Sequence, residues 1–139
     1  MNYKIIGKYI KELNFNIPNP KTFFLLSKDI TNYKINIDIN SKQAKENIIE
    51  VLTCLSLSPS NKDFETIDTK IIYSTIVEIK GDNISKKEME KIILIEVPSK
   101  IYPELRKIFI FLFENSGFKD VKINETVDFQ NLYKMRKIQ

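Results

Sequence analysis

The carboxylates are the side chains of this chain that could perform acid–base chemistry. There are 18 Asp and Glu residues among 139, and their spacing marks no two of them as partners in one site. Histidine is absent, which removes the commonest general base, the commonest metal ligand and every Ser-His or Cys-His nucleophile arrangement. The three glycines, Gly7, Gly81 and Gly117, are too dispersed to form a phosphate-binding loop. The sequence therefore predicts a protein that is not an enzyme and that has neither a metal site nor a cofactor.

Cys54 is the only cysteine, so the chain cannot form an internal disulfide. A lone thiol fits a reducing compartment, and we expect Cys54 to be a small buried hydrophobic residue. The stretch from Met1 to Leu13 has lysines but no apolar run of secretory length. No stretch approaches the roughly 18 apolar residues of a membrane span. These features predict a cytoplasmic protein that does not insert into a membrane.

The chain carries a net charge of +4 with a pI near 9.0, which raises the possibility of a nucleic-acid-binding protein. Six tyrosines and nine phenylalanines could stack on bases. However, the lysines are interleaved with Asp and Glu, and only Arg106 and Arg136 among the 22 cationic residues are arginine. A solvated, lysine-rich surface explains this composition more simply, so nucleic-acid binding is kept only as an alternative.

Alternation of apolar and polar residues predicts four β-strands within one domain, 1–139. Pro18 and Pro20 predict a turn after the first strand, and 41–47 is predicted to be a polar connection. Short connections between consecutive strands favour an antiparallel meander. The predicted strands are 10–17, 33–40, 49–57 and 64–79.

The period of the pattern changes after Gly81, and helices are predicted from there on. Ser85 and Glu88 form a capping-box pattern, which leads us to interpret 86–96 as a helix. A strand is the alternative for the same residues, because the stretch KIILIEV contains four β-branched side chains. A last short helix is predicted to begin at Thr126 or Asp128.

The stretch 100–115 is predicted to be a long helix, because a helical turn of 100° per residue gathers most of its charged side chains on one arc. Gly117 is the predicted C-cap, with Phe118 as its hydrophobic partner. The apolar residues cover well over half of the circumference, whereas one packing surface normally needs a stripe of about 100°. We therefore expect an oligomer to cover the remainder. Phe111 falls on the charged arc and is the candidate contact with a second subunit or a bound protein.

Motifs spread from Tyr9 to Tyr133 share their order and spacing with one known family. In these motifs, and in the order of strands followed by helices, the chain resembles the protein-export chaperone SecB. The motifs are Tyr9-Ile-Lys-Glu-Leu13 before Ile17-Pro-Asn19, Val97-Pro98 before Ile101-Tyr102-Pro103 and Arg106, Ser116-Gly117-Phe118, and Val127-Asp128-Phe129 with Leu132-Tyr133.

The resemblance implies an α+β fold in which a four-stranded antiparallel sheet is followed by two or three helices. It implies a homotetramer, a dimer of dimers, with the long helix between packed layers. The implied function is that of a cytosolic, ATP-independent chaperone whose apolar grooves hold unfolded precursor polypeptides in an export-competent state. The candidate client-binding residues, taken from the apolar faces of strands and long helix, are Phe15, Ile35, Ile37, Phe109 and Phe113.

The family resemblance also implies a sheet surface that docks the translocation motor SecA through acidic residues. The candidate docking residues here are Glu12, Asp68 and Lys70, and Lys70 stands where an acid is usual, as does Asn16. A basic chain would repel a partner that is recognised by acidic side chains, so SecA docking is expected to be weakened. This departure motivates an alternative function, a SecB-like chaperone dedicated to one partner such as an antitoxin.

Overall fold

A computed structural model describes residues 2–28, 33–59, 68–81, 83–118, 123 and 125–138. Four strands form one antiparallel sheet in the order β1-β4-β3-β2, which confirms the predicted α+β class. The strands are β1 (Tyr3–Asn16), β2 (Tyr33–Lys45), β3 (Ile48–Pro59) and β4 (Asp68–Ile79).

The connection between β1 and β2 is a helix, α1 (Pro20–Lys28), which the sequence patterns did not indicate. Asn19 begins it, because its side-chain oxygen accepts hydrogen bonds from the backbone N–H of Thr22 at 2.9 Å and from the hydroxyl of Thr22 at 3.1 Å. Pro20 occupies the first helical position, where its missing N–H costs nothing. The prolines that suggested a turn therefore mark a helix start, and only β2, β3 and β4 form the predicted meander.

β2 runs well past its predicted end. Residues 41–47 were expected to form a connection, yet the strand continues to Lys45 and pairs residue by residue with β3. Cross-strand hydrogen bonding overrides the polar composition there, since an exposed edge strand tolerates polar side chains on both faces. The predicted beginning of the fourth strand, 64–67, lies outside the described residues.

A helical run from Lys86 to Glu114 confirms the helix and excludes the strand alternative for 86–96. It consists of α2 (Lys86–Lys91), a π-helical turn (Ile92–Glu96) and α3 (Val97–Glu114). Ser85 caps α2 as predicted, its hydroxyl accepting the backbone N–H of Glu88 at 3.1 Å. Pro98 has no N–H to offer the preceding turn, and beside it the N–H of Val97 bonds to the carbonyl of Ile92, five residues back.

The last helix, α4 (Phe129–Ile138), is longer than predicted. Of the two candidate caps Asp128 is used, its carboxylate accepting the backbone N–H of Asn131 at 3.0 Å. Gly117 has φ +95° and ends α3 as predicted. Phe118, which follows it, is buried, and its ring centroid lies 5.5 Å from that of Phe113.

α3 packs against β3 and β4 on one face of the sheet, which we call the helix face; the opposite one is the outer face. One hydrophobic core lies between sheet and helices. Its largest fully buried side chains are Phe109, Phe113, Phe129, Leu55, Ile71, Ile92, Ile101 and Leu105.

Candidate binding surfaces

Two adjoining depressions, of about 320 and about 380 Å³, lie between the edge strand β2 and helix α4. They share Ile37 and Leu132, so we treat them as one channel, the β2–α4 groove. The first is lined by Ile37, Asp38, Ile39, Leu94, Leu132 and Tyr133, and the second by Ile35, Ile37, Thr126, Val127, Asp128, Asn131 and Leu132.

The alternation of β2 builds one wall of this groove. Ile35, Ile37 and Ile39 stand opposite Leu57, Leu55 and Thr53 of β3, whose side chains are buried on the helix face. β2 is an edge of the sheet, so one row of its backbone groups faces away from β3. An apolar wall therefore lies beside backbone donors and acceptors that can pair with an added strand.

Helix α4 forms the other wall, and two of its aromatic residues hold it in place. Phe129 is buried with its ring 6.1 Å from that of Tyr102, and the Tyr133 hydroxyl donates to the Glu90 carboxylate at 2.8 Å. With these residues turned inward, Leu132 projects into the groove, 41% exposed.

The five predicted groove residues do not line one surface. Ile35 and Ile37 lie in the β2–α4 groove. Phe109 and Phe113 have no exposed area and are core residues in this chain, so they offer no open surface. Phe15 is half-buried on β1 and its ring meets that of Phe113. The sheet order explains the separation, because β1 and β2 occupy opposite edges.

Sequence reasoning missed Leu94 as a groove residue and did not assign Val127, Leu132 and Tyr133 to the groove. The shared helical face of the last three was visible in their spacing. The spacing did not show that this face would lie beside β2, because that contact depends on the strand order.

The predicted motor-docking residues lie on the outer face or at its end. Glu12 and Lys70 form an ion pair, Nζ to Oε2 at 3.6 Å, and both side chains are about half-exposed. Asp68 is exposed at the beginning of β4, opposite Asn16. The acid retained at position 12 is thus partly neutralised by the lysine at position 70.

A second polar cluster on the outer face is centred on Glu50 of β3. Its carboxylate accepts hydrogen bonds from Ser74 Oγ at 2.6 Å, Tyr9 Oη at 2.7 Å and Lys11 Nζ at 3.1 Å. These bonds, first that of Ser74 and then those of Tyr9 and Lys11, lower the pKa of Glu50 to about 2. Glu50 is therefore ionised at neutral pH and joins three strands.

An apolar strip lies open along the other edge of the sheet, between β1 and α3. Ile10 and Leu13 are opposite Tyr73 and Ile71, so they point to the helix face, yet they are 44% and 41% exposed. Glu104 of α3 bonds to Lys8 of β1, and Phe111 lies two helical turns, or seven residues, further along α3. Phe111 therefore projects on the same side of α3 as Glu104, and it is 62% exposed. We call Ile10, Leu13 and Phe111 the β1–α3 strip.

The remaining chemistry of the described residues is limited. Asp, Glu and Cys side chains form no group of three or more that could hold a metal ion in the part of the chain the structure describes. Cys54 is a free thiol, half-buried rather than buried as predicted, and burial raises its pKa. In the same ranges, none of the helices is long and apolar enough to cross a membrane.

Comparison with known proteins gives one consistent match. The model of the family described as preprotein translocase subunit SecB matches residues 1–139. A Pelagibacter ubique protein with a provisional protein-export protein SecB name is 44% identical over 135 residues, covering 97% of this chain and 96% of that protein. The protein-export protein SecB of Anaplasma phagocytophilum is 25% identical over 142 residues, covering 94% and 89%.

A solved structure has the same fold at low sequence identity. It is that of the Mycobacterium tuberculosis Rv1957 SecB-like chaperone in complex with a ChAD peptide from the Rv1956 HigA1 antitoxin. The TM-score is 0.65 at 12% identity, and the match covers 91% of this chain and 88% of that one.

Proposed function

Because the chain belongs to the SecB family, we propose that it is an ATP-independent chaperone that holds non-native precursor proteins unfolded and export-competent in the β2–α4 groove. The observation that carries the choice of surface is the apolar wall of Ile35 and Ile37 beside the edge of β2. Unfolded chains expose the two things that such a surface can take: apolar side chains and unpaired backbone.

An extended client segment would add to the edge of β2 by backbone hydrogen bonds. Its alternate side chains would then point into the groove, towards Ile37 and Leu132, since strand side chains alternate with period two. Burial contributes roughly 25 cal/mol per Å² of apolar surface without regard to sequence. Backbone pairing is likewise independent of sequence, so the site would take many clients.

The polar half of β2 restricts where such pairing can occur. Beyond Ile39 the strand is exposed and carries Lys42 and Lys45, and charged side chains, lysine above all, discourage edge-to-edge pairing. The client segment would therefore be short and would occupy the half of β2 that begins at Tyr33 and ends at Ile39.

The test is suppression of aggregation of an unfolded client at stoichiometric ratios without ATP. Ile37→Asn should weaken suppression, whereas Lys42→Asn, on the exposed half of the same strand, should leave it unchanged. A well-folded wild-type protein with no effect on aggregation would refute the proposal.

We further propose that the chain assembles as a homotetramer, a dimer of dimers with α3 between layers. The support is the β1–α3 strip, which a single chain leaves open. The groove occupies the β2 edge, which leaves the β1 edge for contact with a second copy. Residues 1–139 would act as a single domain, since the core draws on every strand and helix. Light scattering that gives a monomer mass at high concentration would contradict the assembly.

A chaperone dedicated to one antitoxin is the second candidate function. The Mycobacterium tuberculosis protein of the same fold was solved with an antitoxin peptide, and in this chain the Glu12–Lys70 ion pair would weaken a SecA-docking surface at these residues. Purification of the tagged protein from its own cells separates the two functions. A single dominant partner supports dedication, and a broad set of precursors with SecA supports general export.

The remaining parts of the proposal are a cytoplasmic location, no enzymatic activity and no cofactor. The single thiol, Cys54, fits a reducing compartment. Nucleic-acid binding is the least supported alternative, because Lys8, Lys11 and Lys70 are each paired with a carboxylate. It predicts binding to single strands that falls steeply with salt. Binding that is weak and insensitive to salt would remove it.

A further inference from the structure

Strand β1 is an irregular edge strand. Its pairing with β4 shifts register twice, once between Ile5 and Gly7 and once between Ile10 and Glu12. Each shift leaves one residue out of the ladder, Ile6 in the first and Lys11 in the second. Such bulges bend and twist a strand, so the shape of β1 is not set by backbone pairing alone.

A carboxylate binds the middle of β1 from the outer face. Glu50 of β3 reaches across β4 and accepts hydrogen bonds from Tyr9 and from Lys11, the residue of the second bulge. Ser74 of β4, between them, donates to the same carboxylate. The side chain of Glu50 is only 13% exposed, so its bonds are largely shielded from water.

A second carboxylate binds the same stretch from the helix face. The carboxylate of Glu104 on α3 accepts a hydrogen bond from Lys8 Nζ at 2.7 Å and another from the Tyr73 hydroxyl at 3.1 Å. Lys8 is opposite Thr75, whose side chain is buried on the helix face, whereas Tyr9 is opposite Ser74 on the outer face. Residues 8, 9 and 11 are therefore held by two acids on opposite sides of the sheet.

The residues fixed in this way are next to the open apolar strip. Ile10 lies between Tyr9 and Lys11, and Leu13 follows two residues after the bulge. We infer that Glu50 and Glu104 are positioning residues, which hold the bulged centre of β1 from both faces and thereby present Ile10 and Leu13 to a second copy of this chain. The inference rests on the proposed assembly, and Glu50, on the outer face, would not itself lie in the contact.

The test compares variants that remove one bond while the chain stays folded. Glu50→Gln keeps the length of the side chain and removes its charge, and Lys11→Met removes the donor at the bulge. Lys11→Arg keeps a cation there. The matched controls are Glu46→Gln, at the exposed β2–β3 turn, and Lys4→Met, on β1 outside the residues bound by the two acids.

Two readouts are needed, both at conditions where each variant is fully folded. Sedimentation velocity gives the dissociation constant of the assembly, and amide hydrogen exchange gives the protection of β1. Glu50→Gln and Lys11→Met should raise the dissociation constant at least about tenfold and speed exchange in residues 7–13. The dissociation constant of Lys11→Arg should stay within about twofold of the wild-type value, and the two control variants should have the wild-type dissociation constant and exchange rates.

The outcomes distinguish the inference from the proposal beneath it. A wild-type chain that stays monomeric refutes the proposed assembly, and it also refutes the inference that Ile10 and Leu13 contact a second copy. An assembled wild type whose variants lose β1 protection but keep the dissociation constant overturns the inference alone. Exchange that is faster in every strand to the same degree also overturns it, because it would show a general loss of stability.

Discussion

The rings of Phe15 and Phe113 meet edge to face, with their centroids 5.1 Å apart and their planes at 84°. This contact joins the edge strand β1 to the C-terminal end of α3. Phe113 also contacts Phe109 and Phe118, at 5.1 and 5.5 Å between centroids. Phe15, Phe109 and Phe113, which were predicted to line a binding groove, thus connect β1, α3 and the residue that follows the α3 C-cap.

Phe109→Ala should lower the free energy of unfolding by about 3–5 kcal/mol, because Phe109 is fully buried and alanine leaves a cavity. Phe111→Ala, two residues along the same helix but 62% exposed, should change it by less than about 1 kcal/mol in the monomer. Urea unfolding at one fixed, low protein concentration checks both. Equal losses in the two variants would contradict the orientation of α3.

Phe111→Ser should lower the mass of the assembly, because Phe111 belongs to the β1–α3 strip. Phe24→Ser is the matched control, since Phe24 on α1 is 66% exposed and lies outside the strip. Light scattering across a dilution series is the measurement. If both variants keep the wild-type mass, Phe111 makes no subunit contact.

The strands and helices that follow a clear period could be predicted from the sequence. The alternation of β2 and the charged arc of α3 identified both elements, and Ser85 and Gly117 marked helix ends by their local chemistry. Helix α1 was missed because its start signal, Asn19 before Pro20, also reads as a turn.

The groove was only half predictable, because it depends on which elements become neighbours. Ile35 and Ile37 were found from strand periodicity alone. Their partners on α4 and the π-helical turn could not be found, since the strand order is set by pairing between residues far apart in sequence. For the same reason the sequence could not show that Phe109 and Phe113 are core residues rather than groove residues. An apolar arc on a helix does not reveal which part of it packs against the sheet.

Acid should weaken the fold through Glu50. Its pKa is about 2 in the folded protein against an ordinary 4.5, so its contribution to stability is present above pH 4.5 and is lost as pH falls towards 2. The hydrogen bond from Lys8 also lowers the pKa of Glu104, so loss of that carboxylate's charge in acid weakens the fold in the same way. Urea unfolding of wild type and Glu50→Gln should therefore differ most above pH 5 and converge near pH 2. A difference that is constant with pH would show that ionisation of Glu50 is not the cause.

Gly117→Ala should destabilise the end of α3 for two reasons. Its φ of +95° disfavours any side chain, by about 1 kcal/mol, and an added Cβ would meet the Phe23 ring at 3.3 Å. Gly81→Ala is the control, because its φ is +93° but a Cβ there meets no atom of the described residues within 4 Å. The loss in unfolding free energy should be larger at position 117. Equal losses would mean that Phe23 moves aside without cost.

Leu132→Ser should weaken client binding without unfolding the protein, because Leu132 forms part of both depressions of the β2–α4 groove and is already 41% exposed. Losing its share of apolar burial should cost about 1 kcal/mol, or roughly a fivefold rise in Kd for a fluorescent apolar peptide. Gln130→Ser, exposed on the same helix, is the control and should bind the peptide like wild type. Fluorescence anisotropy gives both Kd values. A Leu132→Ser protein that binds as tightly as wild type would place the client on another surface.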